Sequence, residues 1–176
     1  MINGTLRIIE GDATEPQTTH KKEIVVIPHV CNSINKWGAG FVLALNKKWK
    51  EPEKMYHAFI EGNRPYPERN KNLPMLGKVC YAKIDNHLVI ANMIGQDGVV
   101  SKDNPIPIKY KALANCMAEV FSYIEMIKCQ TSNPVVIHCP KFGSDLAMGR
   151  WDFILELIRE IWTEQGIDVV VYEFKK

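Results

Sequence analysis

The stretch Val25-Val26-Ile27-Pro28-His29-Val30-Cys31-Asn32-Ser33-Ile34-Asn35-Lys36-Trp37-Gly38-Ala39-Gly40-Phe41 decides the reading of this chain. Its apolar, β-branched start has the composition of a buried strand; polar residues follow, and Gly38 and Gly40 mark a tight turn into a helix. Farther along, Val135-Val136-Ile137-His138-Cys139-Pro140-Lys141-Phe142-Gly143-Ser144-Asp145-Leu146-Ala147-Met148-Gly149-Arg150-Trp151 repeats the plan of apolar strand, small-residue loop and helix. Backbone N–H groups at a glycine turn and the positive end of a helix dipole bind anions, and glycine permits close approach. Two such loops can grip one diphosphate between them.

Working outward, the length of 176 residues predicts a single domain over 1–176 with room for a substantial core. A hydrophobic fraction of 46% beside 24% charged residues argues against a disordered chain. The net charge of +2 is too small to indicate a nucleic-acid or membrane partner, and Lys21-Lys22, Lys47-Lys48 and Lys175-Lys176 read as solvated surface. Cys31, Cys80, Cys116, Cys129 and Cys139 are odd in number and scattered without a C-x-x-C pair, which argues against a disulfide framework or zinc site and fits a reducing cytoplasm. Metal-ligand spacing is lacking as well, so no metal or cofactor is expected. Met1-Ile2-Asn3-Gly4 lacks the pattern of a signal peptide, and no window approaches the ~18 apolar residues of a membrane helix. The expectation is a cytoplasmic monomer with no membrane partner and no direct nucleic-acid binding.

Apolar runs at Leu6–Ile9, Ile24–Pro28, Val79–Ile84, His87–Asn92, Val135–Cys139 and Val169–Phe174 are predicted strands. Helical periodicity covers Ala39–Trp49, Glu53–Ile60, Tyr110–Cys129 and Trp151–Glu164, the last with Ile154, Leu157, Ile158 and Ile161 on one face. Asp85-Asn86 predicts a hairpin between the third and fourth strands, while the other strands alternate with helices and should run largely parallel. A mixed sheet covered on both faces follows. Two proline-bearing segments, Asn63–Gly77 and Gly95–Ile108, read as loops, the second at the end of a buried strand where α/β proteins place ligand groups.

With these residues in order, the chain resembles a macrodomain, the ADP-ribose-binding fold, over essentially its whole length. Gly11-Asp12-Ala13-Thr14 is similar to that family's Gly-Asp-Ile-Thr element, and the two small-residue loops follow in the expected order. Trp37-Gly38-Ala39-Gly40, Ile94-Gly95-Gln96-Asp97, Ile108-Lys109-Tyr110-Lys111-Ala112-Leu113 and Pro140-Lys141-Phe142-Gly143 resemble one branch in particular. That branch holds a chromatin-remodeller macrodomain, a yeast ADP-ribose 1″-phosphate phosphatase and a terminal ADP-ribose glycohydrolase. The resemblance implies a three-layer α/β/α fold around a central mixed, largely parallel sheet.

It also implies roles. Asp12 would accept from the adenine amine, or else cap a nearby turn. Ala13 would add a backbone contact, and Phe174 would stack on the adenine unless Tyr172, on the same strand face, takes that place. Gly38, Ala39, Gly40 and Phe41 would donate backbone N–H groups to the diphosphate from one side, and Gly143, Ser144, Leu146, Ala147 and Met148 from the other. Asn32 would hold the distal ribose, its alternative being a loop-capping amide. Trp37 would wall that pocket or anchor the loop, and Asn35 reads as structural.

Asp145 departs from the family, which has a small residue there; a carboxylate beside a diphosphate either points away or has chemistry to do. Gln96 and Ala147 stand where the glycohydrolase members carry their lysine and aspartate, which argues against the lysine mechanism, and Lys102 reads as a solvated tip. His29, just upstream of Cys31 and Asn32, is the expected acid/base, with Asp145 as its helper, for hydrolysis of ADP-ribose 1″-phosphate or a related derivative. The alternative for His29 is a buried core imidazole, and for Cys31 an inert strand thiol. His138 and Cys139 fit the sheet core by pattern and could equally border the pocket. A non-catalytic reader of free or protein-linked ADP-ribose is the second expectation, and a glycohydrolase with a non-standard site the third. A dinucleotide-binding Rossmann site is disfavoured because Gly38-x-Gly40 lacks its third glycine.

Overall fold

Short, β-branched apolar runs find ladder partners in the computed structural model, and the helical periodicities close over them; residues 2–62 and 75–175 are described. The order is β1 (Leu6–Glu10), β2 (Ile24–Asn32), α1 (Phe41–Lys48), α2 (Glu51–Gly62), β3 (Val79–Lys83), β4 (Leu88–Gln96), α3 (Tyr110–Lys128), β5 (Val135–Pro140), α4 (Trp151–Ile158) and β6 (Asp168–Glu173). One six-stranded sheet has the order β1-β6-β5-β2-β4-β3. Neighbours are parallel except β3, which meets β4 through the expected antiparallel hairpin at Asp85-Asn86. Among the described residues, no helix is long and apolar enough to cross a membrane.

Strand alternation sends Val26, Ile137, Val169 and Val171 to one face, where they pack with Leu113, Met117, Val120 and Ile124 of α3 and Ile154 and Ile158 of α4. The opposite face of β2 and β4 carries Val25, Ile27 and Ile90 against Leu45 of α1, and Cys31 and Ile94 against Tyr56 and Ile60 of α2. On that same side Val136, Val170 and Tyr172 meet Ala13 from the connection between β1 and β2. The layers are therefore helix, sheet, helix, with the β1–β2 connection completing one of them.

Most other ends shift by a residue or two from the sequence reading, and α2 begins and ends two residues farther out; the larger differences have local causes. β2 and β4 run on to Asn32 and Gln96 because their polar ends pair with each other, a non-local gain that hydropathy does not report. α1 starts at Phe41, since Gly40 has φ 76° and ψ −144° and cannot belong to a helix. The helix from Trp151 changes to a π turn over Arg159–Thr163, sealed by Glu164 N–H donating to Arg159 O at 2.9 Å. The predicted Asn63–Gly77 loop lies mostly outside the described residues.

Where the sheet opens matters most for function. The β2–β5 ladder pairs only Ile24 with Val135, Val25 with Val136 and Val26 with Ile137. Ile24 donates toward β5, to Pro134 O at 2.8 Å, so strand period places the nitrogen of Pro28 on the same side. Proline has no N–H to give, and the ladder stops before it. β2 and β5 are also the neighbouring strands whose outgoing connections part, from β2 to β3 on one flank and from β5 to β6 on the other. A crevice at that switch point is where parallel α/β sheets take ligands.

Candidate functional site

The carboxyl ends of β1, β6, β5, β2 and β4 lie along one sheet edge, and this brings most of the singled-out residues together. Asp12 and Phe174 are neighbours in this arrangement: Glu10 pairs with Glu173, and Gly11 N–H donates to Glu173 O at 3.0 Å. Asn32 pairs with Gln96 across a bulge between Cys31 and Asn32. Leu146 spans the two glycine loops, its Cδ1 only 3.2 Å from where a Cβ on Gly40 would stand.

The first loop presents open donors. α1 has no side-chain cap at Gly40 and no acidic residue in its first turn, so its dipole is uncompensated; of the first-turn amides, Leu43 N–H donates to Gly40 O at 3.1 Å. In the second loop Gly143 has φ 75°, and Met148 N–H donates to Asp145 O at 2.9 Å, closing a turn over residues 145–148. The two non-glycine residues with positive φ among the described residues are Asn35 at 63° and Met148 at 59°, one in each loop. Backbone strain of this kind persists where the surroundings over-determine it, and it concentrates at ligand clamps.

Asn32 is heavily engaged. Its Oδ1 accepts from Ile34 N–H at 3.1 Å and Lys36 N–H at 3.0 Å, and its Nδ2 donates to Lys36 O at 2.6 Å. The hydroxyl of Tyr56 lies 2.7 Å from Asn32 O and 3.0 Å from Oδ1. This is the loop-capping geometry, and it leaves one amide hydrogen for anything else. Asn35, also structural, bonds His57 Nδ1 through Oδ1 at 2.7 Å and Glu61 through Nδ2. Trp37 anchors the loop: its indole N–H donates to Asn46 at 3.1 Å, and the ring packs on Tyr56.

Asp12 divides its carboxylate. Oδ1 accepts from Thr14 N–H and Thr14 Oγ1, both at 2.8 Å, and among the described residues no hydrogen bond engages Oδ2. Phe174 is 70% exposed, whereas Tyr172 is 2% exposed and cannot serve as a stacking platform. Ala13 and Ala147 are buried, so they offer backbone only; Leu146 and Met148 expose apolar side chains beside the crevice.

His29 requires a correction. It is 1% exposed, with Nε2 2.6 Å from Asn92 Oδ1, and its ring sits under Trp37 and Phe41. Burial lowers its pKa to about 4, opposed by the Asn92 hydrogen bond. Asn92 Nδ2 donates to Pro52 O at 3.0 Å, which fixes the amide and makes His29 the donor at Nε2. His29 thus ties β2 to β4 and, through Asn92, to the start of α2. Asp145 is exposed, and among the described residues no hydrogen bond joins the two, so the expected acid/base pair is not assembled. Burial also raises the Cys31 thiol well above its ordinary pKa, which leaves it protonated and inert.

Two further groups escaped the sequence reading. Ser33, buried, donates to Asp97 Oδ1 and accepts from Gly98 N–H, both at 3.1 Å, fastening the first loop to the 95–108 loop. Gln96 Nε2 donates to Gly98 O, Asn104 Nδ2 to Asp97 O, and Ile108 N–H to Ala147 O, so the 95–108 loop is stapled to itself and to the second loop. Lys102 is on its exposed tip. Tyr56 sits on an amphipathic helix where an aromatic reads as core, and nothing in the sequence says where its hydroxyl points. Among the described residues, no three His, Cys, Asp or Glu side chains converge as a metal site requires. A hollow of about 480 Å³ lined by Tyr110, Arg150, Asp152, Phe153 and Glu156 lies where α3 and α4 begin and includes no residue of the two loops.

No protein-family model matches the chain. A Bacteroides thetaiotaomicron protein of unknown function is 36% identical, with a TM-score of 0.81 over 96% of this chain and 98% of that one. A macrodomain protein from Streptomyces coelicolor is 31% identical, with a TM-score of 0.75 over 96% and 99% of the two chains. In sequence, an ADP-ribose 1″-phosphate phosphatase of Candida albicans is 24% identical over 149 residues, which is 84% of this chain and 87% of that protein.

Proposed function

The chain belongs to the macrodomain family, and on that footing we propose that it binds ADP-ribose along the carboxyl edge of its sheet. The observation that carries the reading is the pair of glycine loops facing each other where the β2–β5 ladder ends, bridged by Leu146 over Gly40. Backbone N–H groups of Gly38, Ala39, Gly40 and Phe41 hold the diphosphate from one side, and those of Gly143, Ser144, Leu146 and Ala147 from the other, while the Met148 N–H is spent on Asp145 O. The free Oδ2 of Asp12 accepts from the adenine amine, while exposed Phe174 at the adjoining strand end stacks on the base. The distal ribose lies against the Asn32–Trp37 loop, with the remaining amide hydrogen of Asn32 and the edge of Gln96 nearby.

Calorimetric titration with ADP-ribose and AMP tests this. Clear preference for ADP-ribose is expected, since the second phosphate and ribose occupy the two-loop grip; equal binding of AMP, or none of either, overturns it.

A second reading, hydrolysis of ADP-ribose 1″-phosphate or a related derivative, is favoured by the phosphatase-named relative. In it the exposed carboxylate of Asp145 activates water for attack at phosphorus, and His29 only fixes the floor of the loop. Release of inorganic phosphate from ADP-ribose 1″-phosphate is the assay; no release leaves the chain a reader.

A further inference from the structure

Beneath the adenine end lies a buried relay that none of the roles above uses. His138 Nε2 is 2.8 Å from Glu23 Oε1, and His138 Nδ1 is 2.8 Å from the Tyr172 hydroxyl. Glu23, His138 and Tyr172 stand on three adjacent strands or their approaches and are all buried. The carboxylate can only accept, so Nε2 carries the hydrogen and Nδ1 is left as an acceptor for the Tyr172 O–H. Tyr172 Oη in turn accepts from Gln17 N–H at 2.7 Å, and Glu23 Oε2 accepts from Thr19 N–H at 3.1 Å and Thr19 Oγ1 at 3.2 Å. Every polar atom of the relay is thereby satisfied without water, and its outer partners all belong to the segment between β1 and β2.

That segment carries Asp12. Tyr172 grips it twice: the hydroxyl holds Gln17, and ring carbon Cδ1 lies 3.2 Å from where a Cβ on Gly11 would stand, so the glycine is seated on the aromatic face. Glu23 holds the far end, and Lys48 of α1 donates to Thr14 O at 2.9 Å from the other side. The segment has no regular secondary structure, so these contacts hold it in place, and the Thr14 N–H and Oγ1 on Oδ1 then aim the Asp12 carboxylate.

We infer that Tyr172, held by the His138–Glu23 pair, is the positioning residue of the adenine end: it sets Asp12 for the base without touching the ligand. The inference rests on the ADP-ribose reading above. Its consequence is a division of labour in which the relay controls affinity for the adenylate half, common to AMP and ADP-ribose, while the glycine loops control the rest.

The test is calorimetric titration of wild type and Tyr172→Phe with AMP and with ADP-ribose, alongside thermal unfolding and amide hydrogen exchange. Tyr172→Phe keeps the ring under Gly11 and removes only the hydroxyl. Loss of one buried hydrogen-bond node should weaken both nucleotides by about the same factor, on the order of tenfold, with faster exchange at Gln17 and Thr19. Thr19→Val, which removes a single donor at the exposed end of the relay, should weaken both by a smaller common factor and keeps the question open to measurement if Tyr172→Phe does not fold. A lower melting temperature with unchanged affinity for both nucleotides overturns the inference, since that is what a purely structural hydroxyl predicts. Loss confined to ADP-ribose overturns it too. A wild-type protein that binds neither nucleotide overturns the ADP-ribose reading, and the inference with it.

Discussion

The hydroxyl of Tyr56, on α2, is buried against the end of β2, 2.7 Å from the carbonyl oxygen of Asn32 and 3.0 Å from its Oδ1. One phenol thereby fixes both the last strand residue and the amide that shapes the first glycine loop. Tyr56→Phe removes that donor and leaves Asn32 O under-satisfied in a buried site, a cost of about 1–3 kcal/mol. Thermal or urea unfolding should report that loss, and titration should show ADP-ribose weakened more than AMP if, as proposed, the loop faces the distal half of the ligand.

Gly40→Ala places a side chain at φ 76° and ψ −144°, a conformation open to glycine alone, and pushes its Cβ against Leu146. Strain of about 1–3 kcal/mol must be relieved by moving the loop. The expected result is a folded protein whose ADP-ribose affinity falls by about tenfold or more, with AMP little affected. A crystal structure or amide chemical shifts of Gly38–Phe41 would report the displaced loop.

His29 makes stability depend on pH. Its folded pKa of about 4 lies below the ordinary histidine value of 6.5, so as pH falls through that interval the unfolded chain takes up a proton that the folded one refuses. Stability from this residue is complete above about pH 6.5 and declines toward pH 4; the loss at pH 5 is about 2 kcal/mol. Urea midpoints of wild type and His29→Gln between pH 7 and pH 5 should therefore converge, the variant being less stable at pH 7 and less sensitive to acid. Any turnover should show no titration near neutral pH that His29→Gln removes.

Asp145→Asn separates reader from hydrolase. If Asp145 activates water, release of phosphate from ADP-ribose 1″-phosphate falls by about 10²-fold or more. ADP-ribose affinity should hold or rise, because a carboxylate beside the diphosphate repels it. Kinetics and calorimetry on the same preparation give both numbers.

The apolar strand runs, the hairpin turn at Asp85-Asn86 and the paired small-residue loops were all legible in the chain, and with them the α/β/α fold and the edge that carries the two loops. These are local signals: side-chain period, branching and glycine placement act within a few residues. Fine assignments fared differently. Asn32 and His29 stand at the expected positions, yet their hydrogen-bonding capacity is largely spent on the fold, Asn32 on Lys36 and Tyr56 and His29 on Asn92.

Sequence by itself determined which residues reach the carboxyl edge of the sheet, because strand direction and loop order follow from hydrophobic pattern and connection length. Only the tertiary structure decided what each polar group does there. A histidine, an asparagine or a tyrosine carries the same donors and acceptors in either role, and partners distant in the chain, such as Asn92 for His29, Tyr56 for Asn32 and Glu23 for His138, determine whether those groups are satisfied internally or left for a ligand.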